Sequence, residues 1–93
     1  MTTTRPFDPA AYLDTDDTRA AYLTEALATG EPGLIAEALG TLARARGMSG
    51  IAREADLSRE ALYRALSANG NPELATVLGV VKALGLRLTA EPA

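Results

Sequence analysis

The sequence predicts an all-α domain, and three observations carry that expectation. Ala and Leu dominate while Phe occurs once and Trp is absent, a usage that favours helices with closely packed small side chains. Apolar residues recur at three- and four-residue spacing in several stretches, each bounded by the Ser, Thr, Asp, Gly or Pro that helix ends favour. The stretch Ser49 to Ser67 reads as two short helices with a tight turn between them, which fits a helix-turn-helix. With 47% hydrophobic residues in 93, there is material for one domain around one core.

In chain order, residues 1–13 read as an extended N-terminal arm with Phe7 and Tyr12 as candidate anchors, and residues 14–93 as a single domain. A first helix spans about 15–28, capped by Asp14 or Thr15, with Asp16 and Asp17 at its positive end, Gly30 just past its finish, and Ala20, Leu23 and Leu27 as its stripe. Glu31-Pro32-Gly33 restarts the chain, since proline suits a first helical turn. A second helix then runs to about Arg46, with Ile35, Leu39, Leu42 and Ala43 in register and Gly47 as its stop. Arg44 and Arg46 suit the negative end of its dipole and are a weaker candidate pair for phosphate. After the motif, Ala68 to Glu73 breaks the pattern. A last helix over roughly 73–84 presents Leu74, Val77, Leu78, Val81 and Leu84 and ends at Gly85. Leu86 to Ala90 alternates like a short strand. A lone strand either packs as a tail or pairs with its copy in a symmetric dimer.

Within the motif at 49–67, Ser49 and Ser58 are each suited to cap a helix. Ile51, Ala52, Ala55, Leu57, Leu62, Ala65 and Leu66 face a shared core, with Ala52 and Ala65 small where the helices cross. Asp56 falls where the first helix ends in a left-handed residue, a position glycine favours and aspartate tolerates. Arg59, Glu60, Tyr63 and Arg64 remain on the outer side of the second helix, which a helix-turn-helix presents to the major groove. Arg59 and Arg64 suit guanine O6 and N7 or phosphate, Glu60 suits cytosine N4, and Tyr63 suits a thymine methyl or phosphate. Ser49 and Ser58 direct helix N-termini toward the DNA backbone. Asn69 and Asn71 follow the recognition helix, where turn chemistry and phosphate contact are equal readings. The bland alternative is a helical bundle that never touches DNA, with Arg64 paired to Glu60 four residues back.

Charge is divided unevenly. Residues 1–43 hold two arginines against seven carboxylates, and residues 44–93 hold seven cations against five, for a chain total of −3. The second half suits phosphate; the acidic half suits a basic partner or simply a helix start. With neither Cys nor His, thiol and imidazole catalysis, disulfides and thiolate zinc sites are excluded. No catalytic residue, cofactor site or metal site is expected, so an enzyme is the least favoured class. The start lacks an apolar leader segment and no run suits a membrane span, so the expected location is the cytoplasm.

The runs Leu39-Gly-Thr-Leu-Ala-Arg-Ala-Arg-Gly-Met-Ser49, Ile51-Ala-Arg-Glu-Ala55, Leu57-Ser-Arg-Glu60, Leu62-Tyr-Arg-Ala-Leu-Ser67, Gly70-Asn-Pro72 and Lys82-Ala-Leu-Gly-Leu-Arg-Leu88 together resemble the addiction-module antidote proteins. These are helix-turn-helix antitoxins of the lambda-repressor-like (Cro/C1, XRE) class, similar to HigA-type antitoxins. Phe7-Asp8-Pro9, Tyr12-Leu13, Tyr22-Leu23 and Ala26-Leu27 extend the likeness over nearly the whole chain. The resemblance implies a five-helix lambda-repressor-like bundle. It also implies a homodimer that binds double-stranded operator DNA in its own promoter and neutralises a RelE-type toxin, an RNase-like inhibitor of translation encoded beside it. The alternative is a stand-alone prophage-like repressor without a toxin. Two residues depart from the pattern: Asp56 replaces the usual glycine of the turn, and Gly50 stands where glutamine is common.

Overall fold

A computed structural model describes residues 13–93. Five helices form among them: α1 (Asp16–Ala28), α2 (Pro32–Arg46), α3 (Met48–Glu54), α4 (Arg59–Ala65) and α5 (Leu74–Ala83). Local chemistry sets most of the boundaries. Thr15, rather than Asp14, opens α1: its Oγ1 accepts from the Thr18 N–H at 3.1 Å, while the Thr15 N–H donates to Thr18 Oγ1 at 3.2 Å. This reciprocal pair satisfies donors that the first turn leaves free. Gly30, at φ +67°, turns the chain into Pro32, the first residue of α2. The N-terminal arm expected over 1–13, with Phe7 and Tyr12, lies outside the described residues except for Leu13, which is buried in the core.

Gly47 does two jobs. At φ +117° it ends α2, its N–H donating to the Ala43 carbonyl at 2.8 Å, and its own carbonyl accepts from the Ile51 N–H at 3.1 Å to begin α3. The third helix therefore starts two residues earlier than a Ser49 cap would place it and Ser49 is not its cap; no side chain caps that end. Burial of Met48 explains the shift, because this side chain reaches the core from the first helical position.

The core is assembled mainly from α2, α3, α4 and the second half of α5: Leu39, Leu42, Leu62, Val80 and Leu84 have no exposed surface, and Ile51 almost none. From α1 only Leu23 is fully buried, since that helix packs chiefly against α2. Three residues expected inside are outside: Leu27 is 39%, Leu78 49% and Leu74 69% exposed. Along α5 the buried residues are Val80, Val81 and Ala83, so its first turn projects beyond the core. Arg46 ties α2 to the far end of α5, its Nη1 donating to the Leu84 carbonyl at 3.3 Å.

The segment from Leu86 onward forms no strand. It is a tail with Leu86 and Leu88 packed against the core and Arg87 and Thr89 exposed, so the alternation reflects one covered side of an extended segment. No helix among the described residues is long and apolar enough to cross a membrane.

Candidate nucleic-acid interface

The turn between α3 and α4 positions the candidate surface. Asp56 adopts φ +61°, the left-handed conformation its place requires. Its N–H donates to the Arg53 carbonyl at 3.2 Å and the Leu57 N–H to the Ala52 carbonyl at 2.8 Å, the paired bonds of a Schellman ending. The same arrangement closes α5, where Gly85 at φ +77° stands in the equivalent place and Leu86 donates to Val81 at 3.0 Å. One end uses glycine and the other an aspartate that bears a Cβ penalty. Replacing Asp56 by glycine is therefore expected to stabilise the domain by about 1 kcal/mol, read as a higher urea midpoint. A lower midpoint would mean the carboxylate makes a compensating bond.

Leu57 then packs on the core and Ser58 opens α4, its Oγ accepting from the Ala61 N–H at 3.0 Å. This is the cap the residue type predicts. Leu62 is buried without remainder, and Leu66 at the C-terminal end is nearly so. With that face fixed, Arg59, Glu60, Tyr63 and Arg64 all face water, Tyr63 at 44% exposure.

These groups are unencumbered. The one ion pair among the described residues is Arg19 with Asp16 at 2.9 Å, so Arg64 is not neutralised by Glu60. Arg59 lies over the Tyr63 ring, 5.7 Å from its centroid, a weak cation–π contact that pre-orients the guanidinium without consuming its N–H donors. The four-residue spacing of the pair already permits that contact on a helix.

Ser49 lies exposed on α3, and Asn69 and Asn71 are exposed in the turn after α4. Near them, Ser67 Oγ donates to the Arg64 carbonyl at 3.1 Å and the Gly70 N–H to the Ser67 carbonyl at 2.8 Å, leaving both asparagine side chains outside the turn's own hydrogen bonds. Arg44, the weaker phosphate candidate, donates to Thr41 Oγ1 at 3.2 Å, and Arg46 is engaged at Leu84.

Among the described residues, fold and surface together define a small domain of five helices whose second short helix, α4, presents two arginines, a carboxylate and a phenol to solvent. Residues 3–92 match the family model described as "Probable addiction module antidote protein", and the chain belongs to that family. It is also 48% identical over 87 residues to an uncharacterized protein of Haemophilus influenzae, a match covering 94% of this chain and 90% of the relative. No solved structure matches. Membership in an antidote family implies a toxin partner.

Proposed function

We propose that this antidote is an antitoxin that also represses its own promoter, binding double-stranded operator DNA through α4 in a lambda-repressor-like helix-turn-helix of the Cro/C1 class and neutralising a RelE-type toxin in the cytoplasm. The observation that carries the DNA reading is the α4 surface: four polar groups suited to base edges and phosphate stand in water on a helix fixed from behind by Leu62. Arg59 and Arg64 read guanine or clamp phosphate, Glu60 accepts from cytosine, and Tyr63 meets a thymine methyl or phosphate. Ser49, Asn69 and Asn71 contribute backbone contacts that set register. Binding, not catalysis, is the activity.

Operator recognition by this class of motif pairs two half-sites with two protein copies. The exposed Leu74 and Leu78, four residues apart on α5, supply an apolar face that a second copy can cover. That face takes over the role that strand pairing through the tail would have played.

Arg64→Ala is expected to weaken operator binding by about 1–3 kcal/mol, with wild-type affinity falling steeply as salt rises. A gel-shift series showing unchanged affinity would reject the assignment. Co-expression with the neighbouring gene product, followed by size-exclusion chromatography with and without promoter DNA, tests toxin binding and dimerisation together; an isolated monomer eluting alone in both runs would refute the reading.

A further inference from the structure

We propose that the toxin docks in the groove between α1 and α2, presenting to it a basic segment with apolar side chains. The inference rests on the antitoxin reading and adds to it the surface and the chemistry of the contact.

The groove is open to solvent and offers about 470 Å³. Tyr22, Ala26, Leu34 and Ala38 line it with apolar surface, and Leu34 keeps 49% of its surface exposed on α2. Tyr22 is of the aromatic type that interfaces favour, and Leu34 adds exposed apolar area to the same groove. Glu25 on α1 and Glu37 on α2 also line the groove, and both are exposed.

Charge selects the occupant. Residues 14–43 contain six carboxylates and a single arginine. That arginine is committed, Nη2 to Asp16 and Nη1 to the Leu13 carbonyl, each at 2.9 Å. Arg44 also lines the groove and keeps its charge while bonded to Thr41 Oγ1 at 3.2 Å, so the lining itself holds two carboxylates, Glu25 and Glu37, against one guanidinium. The surplus in the lining is one negative charge, and the further carboxylates of α1 and α2 around it add to a field that favours lysine and arginine over phosphate. A nucleic acid is thus disfavoured here. Groove-to-groove pairing of two copies would bring four carboxylates, Glu25 and Glu37 of each copy, into one space against two arginines, so a second copy is disfavoured as well. A basic protein meets the charge and the apolar floor together.

The groove belongs to α1 and α2 and the candidate DNA surface to α4, so the two contacts can be altered separately. The test titrates the purified toxin encoded by the adjacent gene into the full chain, wild type or Glu25→Lys/Glu37→Lys, by calorimetry, with promoter gel shifts and sizing in parallel. The expected result is toxin affinity reduced at least ~10-fold by reversing two carboxylates that face cations, with operator affinity unreduced. The charge-matched control Glu73→Lys/Glu91→Lys, outside the groove, should bind toxin near the wild-type level. Leu34→Asp should reproduce the loss, and Glu25→Gln/Glu37→Gln gives a smaller loss should the reversal disturb folding. Undiminished toxin binding by the groove variants overturns the docking surface while leaving the antitoxin reading intact. Failure of the wild-type chain to bind the toxin overturns both. A change in oligomeric state with toxin binding retained identifies a contact between copies and also overturns the proposal.

Discussion

Alanine in place of Leu62 is expected to destabilise the domain by about 2–5 kcal/mol and to abolish operator binding near physiological temperature. Leu62 is the fully buried residue of α4, a helix of seven residues. A helix that short does not persist in water unaided, because nucleation is unfavourable and few hydrogen bonds follow it. What holds it is the contact of Leu62 and Leu66 with the core, helped by the half-buried Ala61 and Ala65. Truncation removes the transfer free energy of the lost carbons and leaves a cavity that α3 and α4 can fill only by moving. The surface formed by Arg59, Glu60, Tyr63 and Arg64 then loses the backing that fixes its direction. Urea denaturation of Leu62→Ala beside Leu74→Ala is the measurement. Leu74 is 69% exposed, so at a protein concentration where sizing shows the monomer, and the contact between copies is absent, its truncation should stay within roughly 0.5 kcal/mol. Equal losses at the two sites would contradict the packing described.

Helix boundaries were largely legible because their causes are local. Thr15, Pro32, Gly47 and Ser58 act through bonds or dihedral limits involving residues at most four positions away, and even the left-handed Asp56 follows from its place in the turn. Ser49 is the converse case: its capping chemistry is sound, but burial of Met48, a tertiary effect, places the helix start ahead of it. Periodicity placed Leu74 and Leu78 with Val77 and Val81 on α5, yet it says which residues neighbour one another and not whether anything covers them. The tail shows the same limit, since Leu86 and Leu88 alternate whether the far side meets a strand or water.

The candidate sites divide in the same way. Outward placement of Arg59, Glu60, Tyr63 and Arg64 follows from helix geometry once Leu62 and Leu66 are taken as inward. The α1–α2 groove depends on how far apart two helices sit around Leu34 and Tyr22, a distance that no single segment encodes. Charge imbalance was its sole trace in the sequence.

Gly40→Ala is expected to destabilise the domain by about 1–3 kcal/mol, against the usual sign for such a change. In the middle of a helix, alanine ordinarily exceeds glycine by about 1 kcal/mol because the backbone loses less freedom on folding. Gly40 lies midway along α2, and there a Cβ would overlap the carbonyl oxygen of Leu66, with the Leu66 Cβ a further 3.4 Å contact. The obstructing atom is backbone, so no rotamer change relieves it; α2 must separate from the end of α4. Overpacking therefore outweighs propensity. Leu66 is the C-terminal cap residue of α4, so the same displacement disturbs the candidate DNA surface and should weaken operator binding beyond the loss of stability. Gly50 supplies the internal control: a Cβ there meets nothing within 4 Å, leaving propensity to act alone. Gly50→Ala should stabilise by up to about 1 kcal/mol. Denaturant midpoints moving in opposite directions for the two variants would support the close approach of α2 to the end of α4, and midpoints rising together would disprove it.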